Sequence, residues 1–231
     1  MTEVPQETAE VLLEKAKRLT RQAQRKLLLD PEDYPGAIKD QREAVRLVHG
    51  ALGDLEADAS ASADERKECA HRLADYWGRL GGIYRRADMV PEGIEAYGHG
   101  KEIEGRYQLD DSYNRINWIV LTLLQDPRKL GALEKEINEA IDLIQAQVQG
   151  PRRDQWWAWA DLGLVCQLGG RPRESGVAYE HFRQAGARPA DYKSVLPVLE
   201  QLQATFEPSD LDLATRLGET IRTLEAEEGG A

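Results

Sequence analysis

The stretch Trp77-Gly78-Arg79-Leu80-Gly81-Gly82-Ile83-Tyr84 decides the fold, because its frame of Trp77, Leu80, Gly81 and Tyr84 returns as Trp159, Leu162, Gly163 and Cys166. Offsets of three, four and seven residues share one face of an α-helix. On that face the large side chains fill the space between helices, and the glycine lets a paired helix come close. A matching second segment follows each frame. Gly93, Tyr97 and Gly100 stand 16, 20 and 23 residues after Trp77, and Ser175, Tyr179 and Phe182 keep the same offsets from Trp159. Small, aromatic, small is the shape that a closely packed helix pair requires, and Gly100 meets it more strictly than Phe182. The frame places Trp77 and Trp159 in the core.

Working outward, the same three-to-four periodicity begins near Glu7 and runs to Leu29 through Val11, Leu12, Ala16, Leu19, Ala23, Leu27 and Leu28. Asp30 and Pro31 then read as a cap followed by a first-turn proline, opening a helix with Ile38, Ala44, Val45, Leu47, Val48 and Leu52 on its apolar face. ADASASA at 57–63 is a small, polar connector, and Ser62 with Glu65 forms a capping box for a helix over 63–87. Two more helices are expected at 111–125 and 130–149, split by Asp126-Pro127. Pro189 and Pro208 open the last two, with Ser209 and Asp212 in capping positions.

The W-x2-L-G-x2-Y spacing, with its small–aromatic–small partner segment, resembles the tetratricopeptide repeat, closely over residues 74–107 and 156–189 and more loosely elsewhere. That resemblance implies an all-α chain, a right-handed superhelix of about five antiparallel helix pairs, a TPR-like α-solenoid. Position 159 follows position 77 by 82 residues, whereas two repeats of about 34 residues would span about 68. An enlarged repeat therefore lies between the regular copies. The whole is expected to form one helical-repeat domain over 1–226, with 227–231 as a flexible acidic tail.

Composition narrows the function. The 231 residues are 41% hydrophobic and 31% charged, which suits a soluble helical protein with a real core. A net charge of -11 repels phosphate, so neither nucleic acid nor an anionic membrane is an expected partner. Two cysteines, Cys69 and Cys166, are too few for a disulfide framework and read as buried small residues. With no apolar run near the start long enough for a signal peptide or a membrane helix, the expected location is cytoplasmic. The sequence holds no H-E-x-x-H, G-x-x-x-x-G-K-[ST], G-x-S-x-G or C-x-x-C, and its four histidines show no ligand spacing. Neither catalysis nor a cofactor is implied.

In the family that the chain resembles, the first helix of each pair lines a concave groove that binds peptides. Carried onto the first copy, that lining is Asp75, Gly78, Gly82, Arg85 and Arg86, with the glycines leaving room for a ligand. Arg85 and Arg86 suit a carboxylate or phosphate, or else are solvated at a helix C-terminus. Asn114, Asn117 and Trp118 fall together on the middle pair, as a recognition surface or as internal ties and core. Trp157 is an aromatic anchor or a structural residue between repeats. The basic run Lys15, Lys17, Arg18, Arg21, Arg25 and Lys26 is a solvated face or a dock for an acidic partner.

These features predict a non-catalytic scaffold or adaptor that holds a peptide or helix of a protein partner. GGIYRR, SYNRIN and WAWADLG are also similar to helical-repeat modules found beside bacterial effector or signalling domains, which implies a regulatory subunit. The alternative is a sensor that encloses a small molecule or signal peptide in the same groove. Neither the partner's identity nor the oligomeric state is written in the sequence.

Overall fold

The computed structural model describes residues 8–228, and within them the chain is all-α. Ten α-helices follow one another in consecutive antiparallel pairs. They fall into two compact units, divided between Trp118 and Ile119.

In the first unit α1 (Ala9–Leu29) pairs with α2 (Tyr34–Ala57) along a seam of alanines. Ala16 and Ala23 on α1 and Ala37, Ala44 and Ala51 on α2 recur every seven residues and are wholly buried, so the two backbones approach closely. The cap of α2 lies three residues later than its sequence suggests. Asp33, not Asp30, accepts from the Gly36 amide at 3.0 Å, and Pro35 occupies the first turn, while Asp30 only closes the preceding turn onto the Glu32 amide. α3 (Ala63–Arg86) opens on the expected capping box: Glu65 N donates to Ser62 Oγ at 3.1 Å and Ser62 N to Glu65 Oε2 at 2.7 Å. It is tied to α2 by Gln41, whose amide donates to the Tyr76 carbonyl at 3.0 Å.

α4 (Val90–Arg106) folds back on α3 through the glycine and tyrosine of the repeated frame. A methyl group at Gly81 would stand 2.8–2.9 Å from three ring atoms of Tyr97, which is wholly buried. Trp77 is a correction to the sequence reading. It is only partly buried, packs on the margin of the core, and lies against His99 in a tilted ring pair with centroids 4.6 Å apart. An indole at the outer edge of a two-helix pair is too large to be covered on all sides.

α5 (Tyr113–Gln125) contributes residues 113–118 to the first unit and 119–125 to the second. The second unit continues with two 3-10 turns, Pro127–Lys129 and Gly131–Leu133, so α6 (Glu134–Gln149) starts four residues later than the periodicity suggests. α7 (Trp156–Leu168) and α8 (Pro172–Gln184) repeat the geometry of α3 and α4. A methyl at Gly163 would lie 2.7–2.9 Å from the Tyr179 ring, and Ser175, in the small position, donates its hydroxyl to the Gly163 carbonyl at 2.8 Å. Trp159, like Trp77, is half-buried and stacks on the histidine 22 residues ahead, His181, at 4.3 Å. α9 (Pro189–Phe206) begins at its proline as expected. α10 (Leu211–Glu228) is capped by Asp210, whose Oδ1 accepts from Leu213 N at 2.9 Å, rather than opened by Pro208 and Ser209. Of the tail expected at 227–231, residues 227 and 228 end α10, and 229–231 lie outside the described residues.

Among the described residues no helix is long and apolar enough to cross a membrane. Cys69 and Cys166 are free and buried, as their lack of partners in sequence suggests.

Candidate interaction face

The glycines expected to leave ligand space on α3 are in fact covered by α5. A methyl at Gly78 would lie 2.8 Å from Asn114 Oδ1 and 3.1 Å from the Tyr113 ring. Around Gly82 the nearest atoms to such a methyl are the Tyr97 hydroxyl at 3.5 Å, Arg86 Nη1 at 3.7 Å and the Tyr113 hydroxyl at 3.8 Å. The first turn of α5 therefore forms the surface here, in place of an open groove in α3.

On that surface Arg85 Nη1 donates to Asn117 Oδ1 at 3.2 Å, and Asn117 Nδ2 donates to the Tyr113 carbonyl at 2.8 Å. Arg85, Arg86 and Tyr113 are exposed and Asn117 is half-buried. Neither arginine is ion-paired among the described residues. Two guanidinium groups, a phenol and a half-buried amide thus share one patch. It can accept a carboxylate or peptide carbonyls through charge-assisted hydrogen bonds while the phenol ring offers apolar area. Tyr113 was not singled out by the sequence. Its position one turn before Asn117 was the available signal.

The remaining candidates lie elsewhere. Asn114 is in the interior at 2% exposure, where Nδ2 donates to the Ala74 carbonyl of α3 at 3.1 Å and to Glu104 Oε1 of α4 at 2.5 Å. Its amide hydrogens are both in use, so it ties helices together. Trp118 turns to α4, against Gly98 and under the Lys101 ammonium, 3.9 Å from its ring. Trp157 belongs to the second unit, half-buried, with the Arg152 guanidinium 4.9 Å from its ring. In that unit Trp159 and His181 also line a surface cleft of about 480 Å³ with Val148, Arg153 and Gln184, and the indole N–H donates to the Arg153 carbonyl at 2.7 Å.

Burial dominates the titration of interior groups. It pushes the thiols of Cys69 and Cys166 up to about 11 and the hydroxyls of Tyr97 and Tyr179 well above the usual range. Glu104 is pushed up to about 8, chiefly by burial, against hydrogen bonds from Asn114 that favour the charged form. Among the described residues no group of three or more His, Cys, Asp or Glu is placed to hold a metal ion.

No protein-family model matches the chain, and no curated protein matches it. Among solved structures, BtubC (BKLC) from P. vanneervenii is similar at 18% identity over 98% of this chain and 94% of that one, with a TM-score of 0.42. Two structures of Podosopora anserina nearly identical TPR-like repeats of kinesin-light-chain type are similar too. One, a point variant, is 17% identical over 98% of this chain and 100% of its own (TM-score 0.42), the other 18% over 96% and 98% (TM-score 0.41).

Proposed function

We propose that the protein is a non-catalytic interaction scaffold or adaptor that holds a peptide or helical segment of a partner protein. Helical-repeat folds present side chains on a rigid frame and characteristically bind other proteins. The observation that carries the reading is the patch of Arg85, Arg86, Tyr113 and Asn117, where two arginines without ion partners among the described residues flank an aromatic ring and an amide on two rigid helices. Guanidinium and tyrosine are the side chains on which protein recognition most often turns. Of the residues first considered, Arg85, Arg86 and Asn117 are assigned to this face, Trp118 to its α4 side and Trp157 to a separate contact on the second unit. Asn114 is assigned a positioning role beneath the face.

Affinity purification from the native source, repeated with Arg85→Ala, Asn117→Ala and Trp157→Ala, tests the reading. Loss of a stable partner from the first two variants, with the fold intact by circular dichroism, supports it. A partner retained equally by all three folded variants rejects the assignment. A metabolite that co-purifies in place of any protein would replace the adaptor with a sensor.

A further inference from the structure

An acid and an amide, Glu104 and Asn114, are sealed beneath the first turn of α5 at 5% and 2% exposure. Through Ala74 and Glu104 the Asn114 side chain joins three helices. Glu104 Oε2 and Asn114 Oδ1 are both buried without a partner among the described residues. The seat is cut to fit: a methyl at Gly100 would fall 2.3 Å from Asn114 Cγ, and one at Gly78 2.8 Å from Asn114 Oδ1. At 5% exposure the Glu104 carboxyl has little access to water that could solvate a charge.

A carboxylate in this position has no cation on it among the described residues. Arg115 of α5 favours the charged form only weakly and is opposed by Asp111, which faces His71 of α3 at 3.9 Å. On α4 the Lys101 ammonium lies over Trp118, and Arg106 is paired with Glu56 of α2 at 2.7 Å. A proton on Oε2 removes the charge and supplies a hydroxyl donor, and Asn114 Oδ1 is the buried acceptor that lacks one.

We propose that protonation of Glu104 drives the docking of residues 113–118 of α5 on the α3–α4 pair, so that its ionisation loosens this turn and weakens the Arg85–Asn117 face. The consequence for binding rests on the function proposed above, but docking itself is measured without any partner. For the sign, the docked acid holds its proton up to about 8, whereas a solvated glutamate loses it at 4.5. Docking is thus fully favoured below the lower value and weakens as pH rises toward the upper one, by about tenfold per pH unit.

The test is amide hydrogen exchange of residues 113–118 from about pH 5 to about pH 9, corrected for the intrinsic rate, in the wild type and in Glu104→Gln. The glutamine keeps an acceptor for Asn114 Nδ2 and a donor for Oδ1 but cannot ionise. Protection should fall about tenfold per pH unit in the wild type up to about 8, level off above that, and stay flat in the variant throughout. An equal fall in both, a flat wild type, or an equal fall in α1 and α2 would overturn the proposal. Should the variant not fold, the carboxyl carbon-13 titration of Glu104 in the wild type decides. A midpoint raised well above 4.5 agrees, and one near 4.5 overturns it.

Discussion

Gly81→Ala and Gly163→Ala are ordinarily helix-stabilising changes that should here destabilise the protein. Alanine in a helix interior is favoured over glycine by about 1 kcal/mol. Against that gain, the new methyl at Gly81 would meet Tyr97 Cδ2 at 2.8 Å and Cδ1 and Cε1 at 2.9 Å, and at Gly163 it would meet Tyr179 Cε2, Cζ and Cδ2 at 2.7, 2.8 and 2.9 Å. Carbon atoms prefer about 3.5–4.0 Å, so each ring must retreat by close to an ångström. Both rings are sealed, Tyr97 at 0% and Tyr179 at 5% exposure, which puts the overpacking near the upper end of about 1–3 kcal/mol. The net loss should be about 1–2 kcal/mol at each site. Gly53→Ala, on α2 with nothing within 4 Å of the added carbon, is the internal control and should gain about 0.5–1 kcal/mol. Urea denaturation read by circular dichroism gives the three midpoints, at unchanged slope. Gly81→Ala or Gly163→Ala proving as stable as Gly53→Ala would refute the glycine–tyrosine contact as the reason for the repeated frame.

Other perturbations have equally definite outcomes. Trp159→Ala loses a half-buried indole, its stack on His181 and its bond to Arg153, and should cost about 2–3 kcal/mol, short of the loss for a sealed aromatic, as read by denaturation. Ser62→Ala removes one arm of the α3 capping box and should cost about 1 kcal/mol, seen as a lower melting temperature. Cys69 and Cys166, with thiols raised to about 11 by burial, should resist alkylation near neutral pH in the native protein and both react in denaturant, as counted by mass spectrometry. Fast native labelling of either would contradict its burial.

The helix pairs were legible because their signal is short-range and redundant. Trp77, Leu80, Gly81 and Tyr97 each specify size at a fixed helical offset, and the second copy repeats the test. Boundaries were harder where two caps compete, as with Asp30 and Asp33, since either aspartate precedes a proline. The depth of Trp77 and Trp159 was misjudged because periodicity reports which face a residue occupies, not how far its partners extend over it. The histidines packed against them, His99 and His181, lie at the same offset and could have been found by extending the frame. Asn114 was illegible for a different reason. A polar side chain on a helix reads as surface unless its partner is known, and Glu104 reaches it across the turn between α4 and α5.

Calorimetric titration of the co-purified partner segment into the wild type, Arg85→Ala and Asn117→Ala tests the central claim most directly. Each variant should bind about tenfold or more weakly, the loss expected for one charge-assisted hydrogen-bonding group at an interface, with its melting temperature unchanged. Wild-type affinity in both folded variants would contradict the assignment of the Arg85–Asn117 face.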